Sequence, residues 1–147
     1  MTDERSKCFV GVIIVTLHDD GTRRYLVVPS IWGKRPGTRP KIKFPGGMHK
    51  VTDENFEATA RREVRSETNL RIKKSVTPRL LTRFKFDDQW KFFYIVNRKE
   101  CRGTLRRHTI EDGDSILSKP EWMTLEELEA HLTHTHKLVL IDLKKVV

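Results

Sequence analysis

A chain of 147 residues, 37% hydrophobic and 33% charged, is long enough to bury a core as a single domain over residues 1–147, and no low-complexity tract or linker interrupts it. The longest apolar run, residues 10–15, is broken by Gly11 and is far too short to span a bilayer, and MTDERSK lacks the apolar centre of a signal peptide, so a cytoplasmic protein with no membrane partner is expected. The net charge of +9 points to an anionic partner such as a nucleotide, a polyphosphate or RNA. The charge is clustered. One stretch holds Lys34, Arg35, Arg39, Lys41 and Lys43, a second Arg71, Lys73, Lys74, Arg79, Arg83 and Lys85, and a third Arg98, Lys99, Arg102, Arg106 and Arg107.

In chain order, CFVGVIIVTL (8–17) is rich in β-branched residues and reads as a buried strand. HDDGT carries Asp20-Gly21 at the tip of a hairpin turn, and RRYLVVPS (23–30) is the returning strand. IWGKRPGTRPK is a loop by its glycines and prolines, and IKF (42–44) is a short strand running into Pro-Gly-Gly. A helical period then begins, with Thr52 or Asp53 as the cap and Phe56, Ala60 and Val64 on one buried stripe. Asn69 stands where a left-handed residue ends the helix. Residues 80–86 and 90–97 flank FDDQ as a hairpin, with their alternating aromatics half in the core. Residues 98–119 are expected to be a long loop. TLEE (124–127) is a capping box that starts a helix to about residue 132, and HKLVLIDLKKVV reads best as a C-terminal helix. This order gives an α/β layout, with helices packed on a mixed sheet.

Two cysteines, Cys8 and Cys101, have no CxxC spacing and form neither a zinc site nor a disulfide framework; both are expected to be buried thiols. The histidines of HLTHTH (131–136) lie at a helix end and lack a partner for a metal site.

The chemistry concentrates in FPGGMHKVTDENFEATARREVRSETNL, residues 44–70. Glu63 and Glu67 are one helical turn apart, about 6 Å along the axis, and point the same way. Two carboxylates so placed can share one hard divalent cation, or two neighbouring ones, together with waters and phosphate oxygens. Gly46 and Gly47 let the backbone turn sharply and come close to the site. The stretch resembles the box of the Nudix hydrolase (MutT-like) family, in which a glycine, five residues, a glutamate and seven residues precede Arg-Glu-aliphatic-x-Glu-Glu-x-Gly-aliphatic. The Glu121-Trp122 pair before the late capped helix also fits. The resemblance implies a Nudix-type α/β/α sandwich, a mixed β-sheet flanked by helices. It implies Mg2+, with Mn2+ as a substitute, and hydrolysis of a pyrophosphate bond in a nucleoside diphosphate linked to another group. It also admits a homodimer.

Carried over by position, Glu63 is a metal ligand or the group that activates water, and Glu67 is the principal metal ligand. The carbonyl of Gly47, or of Gly46, completes the shell. Arg62 braces the loop with Glu54. The sequence departs from the pattern in three places. Six residues separate Gly47 from Glu54, Asn69 replaces the late glycine, and Ser66 stands where the first glutamate of the pair is expected. Glu111, Asp112 and Asp114 are candidates for a further acidic ligand. Arg39 and Lys41 are candidates for holding substrate phosphates, Trp32 for stacking on a base, and Arg23 and Tyr25 for reaching the substrate. The alternative reading is a nucleotide- or RNA-binding module on the same fold, with a weakened catalytic site.

Overall fold

The computed structural model describes residues 7–33, 37 and 39–146; Lys34 and Arg35 of the first basic stretch lie outside them. Two long strands, β1 (Cys8–Leu17) and β2 (Arg23–Trp32), form the antiparallel centre, joined by a turn in which Gly21 takes φ 84° and the Asp20 carboxylate accepts from the Thr22 N–H at 2.9 Å. After β3 (Lys41–Lys43) and β4 (Gly46–Met48) comes helix α1 (Phe56–Thr68), then β5 (Arg71–Ile72), β6 (Arg79–Phe86) and β7 (Gln89–Asn97). Next are β8 (Cys101–Arg102), β9 (Ile110–Asp112), β10 (Ser115–Leu117) and β11 (Glu121–Met123). The chain finishes with α2 (Leu125–His131), α3 (His134–Lys137) and α4 (Leu140–Lys145).

The main sheet runs β6-β7-β1-β2-β10-β9, with β11 and β3 also on β2 and β4 also on β1. β7 runs parallel to β1 and the other pairs are antiparallel, so the sheet is mixed. Both faces are covered, which is why the first strand is apolar along most of its length rather than alternating. Alternate residues Val10, Val12 and Ile14 pack with Ala60 and Val64 of α1, while Phe9, Ile13 and Val15 pack with Leu128, Leu132, Leu140 and Leu143 of the C-terminal helices. The α/β/α sandwich expected from the sequence is present. Among the described residues no helix is long and apolar enough to cross a membrane.

Local differences have local causes. The cap of α1 is Asn55, whose Oδ1 accepts from the Ala58 N–H at 2.8 Å; Asp53 is unavailable because its carboxylate holds Arg62 and Thr59. β3 covers residues 41–43, and Phe44 leaves the strand to be wholly buried. Residues 98–119 hold a 3₁₀ turn and the β9–β10 hairpin, with Gly113 at φ 57° in its turn. Three-residue strands are too short to show a period. Asn69 is left-handed at φ 69°, and Asp87 and Asp88 make the positive-φ pair of a two-residue hairpin turn. The Thr124 capping box is formed in full. Cys8 and Cys101 are both buried, and burial pushes the Cys101 thiol up to about 11.

His136 is a core residue. The Phe44 N–H donates to its Nδ1 at 3.0 Å, which fixes the neutral tautomer with its proton on Nε2. Its ring stacks on Phe44 and meets Phe9 and Phe93 edge-on. Burial, helped by Lys43 and Lys91, lowers its pKa from 6.5 to about 3. The unfolded chain therefore binds a proton that the folded chain refuses, and stability falls as pH drops from 6.5 toward 3. Asn at this position keeps a carbonyl acceptor without a titrating ring. His136→Asn should be less stable at pH 7 by roughly 1–3 kcal/mol through lost packing. Urea unfolding at pH 7, 6, 5 and 4.5 should show a shallower decline for this variant than for the wild type. Parallel declines would remove His136 as the source.

Candidate active site

β4 is squeezed between β1 and α1, and only glycine fits there. A Cβ on Gly46 would lie 2.5 Å from the Val10 carbonyl oxygen and 2.8 Å from the Gly11 Cα. One on Gly47 would lie 2.5 Å from Oε1 of Glu63. The strand is pinned by its ladder to β1, with Gly47 opposite Val10, and by the Val12 N–H donating to the Pro45 carbonyl and the His49 N–H to the Cys8 carbonyl, each at 2.8 Å. The glycines thus bring backbone into direct contact with a carboxylate on the facing helix.

Glu63 is 8% exposed and Glu67 1%. One carboxylate oxygen of Glu67 accepts from the Gly46 N–H at 3.2 Å, and the other, Oε1, is buried with no hydrogen-bond partner. Burial raises the Glu67 pKa well above the ordinary carboxylate range; the Glu63 carboxylate beside it adds to this and the Lys43 ammonium opposes it. An orphaned carboxylate oxygen in a dry place is costly. A second carboxylate beside it and glycine backbone within contact make an oxygen-rich cradle that fits a hard divalent cation. Glu63, Glu67 and the carbonyl of Gly47 or Gly46 are the groups that could hold it.

Arg62 organises the entrance. Its Nε and Nη2 donate to the two carboxylate oxygens of Asp53 at 3.0 and 2.8 Å, Nη1 donates to Glu63 at 2.6 Å, and Nη2 also reaches the Met48 carbonyl at 3.1 Å. The Arg62 bonds hold the Asp53 carboxyl far below its usual range, with help from the Lys50 N–H and the Thr59 hydroxyl. The guanidinium fork therefore ties the loop after β4 to the helix. Glu54, expected in this role, is exposed and lies in a shallow hollow with Asn55, Glu57 and Lys74. Asp53 is the residue missed, although it stands at the family's five-residue spacing from Gly47.

Arg106 closes the other end. It is 6% exposed, and its Nε and Nη2 both donate to the Glu67 carbonyl, at 2.9 and 2.7 Å. The same guanidinium reaches the carbonyls of His108, Leu117 and Ser118. Nothing in the sequence marks it among the other arginines of its stretch.

Ser66 is exposed, and its hydroxyl donates back to the Glu63 carbonyl at 3.3 Å. Glu111, Asp112 and Asp114 lie exposed on the β9–β10 hairpin, and among the described residues no three acidic, His or Cys side chains come close enough to share a metal ion. None of the three joins Glu63 and Glu67. Arg39 and Lys41 are exposed. The cation felt by Glu67 is Lys43, at the end of β3. Tyr25 is a core residue, Arg23 donates to the Val146 carbonyl, and Trp32 is 68% exposed.

A model of the NUDIX domain family matches residues 9–143. No curated protein matches the chain. Among solved structures, the NUDIX domain of Shewanella oneidensis NrtR, complexed with ADP ribose, is 17% identical with a TM-score of 0.67, over 94% of this chain and 86% of that one. The MutT NUDIX hydrolase of Burkholderia pseudomallei is 20% identical with a TM-score of 0.64, over 92% and 97%. A NUDIX hydrolase of Nitrosomonas europaea is 19% identical with a TM-score of 0.61, over 94% and 88%. At these identities the structures speak for the fold, and the family match speaks for descent. The chain belongs to the NUDIX domain family, a family of pyrophosphohydrolases that generally act on nucleoside diphosphate derivatives.

Proposed function

We propose that the chain hydrolyses the pyrophosphate bond of a nucleoside diphosphate linked to another group, with Mg2+ as cofactor and Mn2+ as its substitute. The observation that carries this reading is the buried, unpartnered oxygen of Glu67 beside Glu63, under the backbone of two glycines that tolerate no side chain. Glu63, Glu67 and the Gly47 or Gly46 carbonyl would hold the ion. When bound, it supplies charge neutralisation at the phosphoryl oxygens. Glu63 is the less buried of the two carboxylates, and in this reading it is the group that takes the proton of the attacking water. Arg62 and Asp53 keep Glu63 in place. Lys43, with Arg39 and Lys41 on the approach, offers positive charge to the substrate phosphates. A cytoplasmic location belongs to the same reading.

A second reading has a specific observation behind it. Ser66 is exposed and among the described residues no further acid joins the pair, so the cluster has one carboxylate fewer than the family pattern. A binding module for a nucleotide or RNA would need no more, and the +9 charge suits it.

Metal dependence separates the two. On a panel of nucleotide-linked pyrophosphates, turnover should require Mg2+ or Mn2+ and stop with chelator, and Glu67→Gln should lose more than about a hundredfold. Tight nucleotide binding without turnover on any substrate would decide for the binding module. Asp53→Asn should cost about 10- to 100-fold in kcat/KM, whereas Glu54→Gln should change little; the reverse order would restore the bracing role to Glu54. Ser66→Glu should raise activity at low Mg2+ concentration, and an unchanged Mg2+ titration would mean that the exposed position cannot reach the ion.

A further inference from the structure

A cavity of about 850 Å³ opens beside the C-terminal end of α1, between residues 103–107 and residues 119–122. Its size lies within the range of small-ligand sites. None of Gly46, Gly47, Glu63 and Glu67 lines it. Arg106 marks the boundary: its guanidinium, in the cavity wall, donates to the Glu67 carbonyl, while the Glu67 carboxylate turns away to the Gly46 N–H.

The lining is chemically one-sided. Four cationic side chains, Arg98, Arg106, Arg107 and Lys119, face one carboxylate, Glu121. Arg106 is fully engaged with backbone carbonyls, and Arg98 is braced by donating to the Cys101 and Gly103 carbonyls at 3.0 and 2.8 Å. Arg107 and Lys119 are exposed and form no ion pair among the described residues, so their charge is available to a ligand. Beside them the half-buried ring of Trp122 is fixed by the pairing of β11 with β2, Trp122 opposite Leu26. Unpaired cations select a phosphate, a fixed aromatic face selects a planar base, and Glu121 can accept from ribose hydroxyls or an exocyclic amine.

We propose that this cavity is a second ligand site, separate from the carboxylate pair, that binds a mononucleotide by its phosphate through Arg107 and Lys119 and by its base through Trp122. A bare polyanion fits less well, because Glu121 stands among the cations.

The probe is AMP, which has no pyrophosphate bond, titrated in the presence of chelator. The chain has three tryptophans, and Trp32 and Trp90 are 68% and 43% exposed, so Trp32→Phe and Trp90→Phe assign the indole N–H resonance of Trp122 without disturbing the core. AMP should move that resonance saturably. The double variant Arg107→Ala, Lys119→Ala, both at exposed positions, should weaken the effect at least about tenfold. Adenosine should bind at least as weakly as AMP binds the double variant. The proposal is overturned if the double variant titrates like the wild type, if Trp122 stays still while Gly46 and Gly47 move, or if inorganic phosphate binds as tightly as AMP. These outcomes are independent of catalysis. Turnover of Glu67→Gln bears on the hydrolase alone, and the Trp122 response bears on this cavity alone.

Discussion

The contact on which the site depends is that of Gly47 against the Glu63 carboxylate. A Cβ at this point of the strand would lie 2.5 Å from the carboxylate oxygen. β4 runs this close to the helix because Gly47 has no Cβ, and it lies close against β1 because Gly46, opposite Gly11, has none either. Gly47 therefore sets how closely α1 can approach β4. With the helix seated, Ala60 and Val64 fall onto the sheet, and the next positions around the helix, Glu63 and Glu67, are carried into the interior with them. The carboxylates are buried as a consequence of packing, and the raised pKa of Glu67 is the price of a seat fixed by apolar contacts.

Two arginines hold that arrangement, from opposite ends. Arg62 makes a forked bond to Asp53 and a third to Glu63, so the loop between β4 and α1 cannot open without breaking charge-assisted contacts on both sides. Arg106 is a different device. Its charge is met by four backbone carbonyls, two of its N–H groups converging on that of Glu67 at the end of the helix, where the macrodipole favours a cation. It joins the last turn of α1 to the end of β10. Burial lowers its pKa, though far too little to discharge a guanidinium.

Where local rules act, the sequence was readable. β1 has the bounds expected from its β-branched run, Asn69 takes the left-handed turn, and Thr124 and Glu127 form their reciprocal cap. Glu63, Glu67, Arg62 and the two glycines, singled out in the sequence, lie together in the fold. The failures are tertiary. Both Asp53 and Glu54 satisfy one half of the spacing, Asp53 from Gly47 and Glu54 to Arg62. The extra residue is absorbed next to the cap, Asn55, and only the folded loop shows which acid faces Arg62. Lys43 and His136 each act across the sheet edge, on Glu67 and on Phe44, and no spacing rule links residues that far apart. Arg106 is the extreme case, since its partners are all main-chain carbonyls, which leave no mark in a sequence.

The loss of a carboxylate at Ser66 is best understood as a change of charge balance. Arg62 is already matched by Asp53, so Glu63 and Glu67 leave two negative charges unmatched when both are ionised, which one divalent cation neutralises. A further glutamate would leave an excess that favours a second cation. On the proposed hydrolase reading, a hydroxyl instead would suit the pair to a single ion, and substrate phosphates would find their remaining counter-charge in the protein. Lys43 stands within electrostatic reach of Glu67, Lys41 precedes it on the same face of β3, and Arg39 lies just before. On that reading the basic approach strand and the missing acid would be two parts of one adjustment, with counter-charge supplied by side chains in place of a further metal ion.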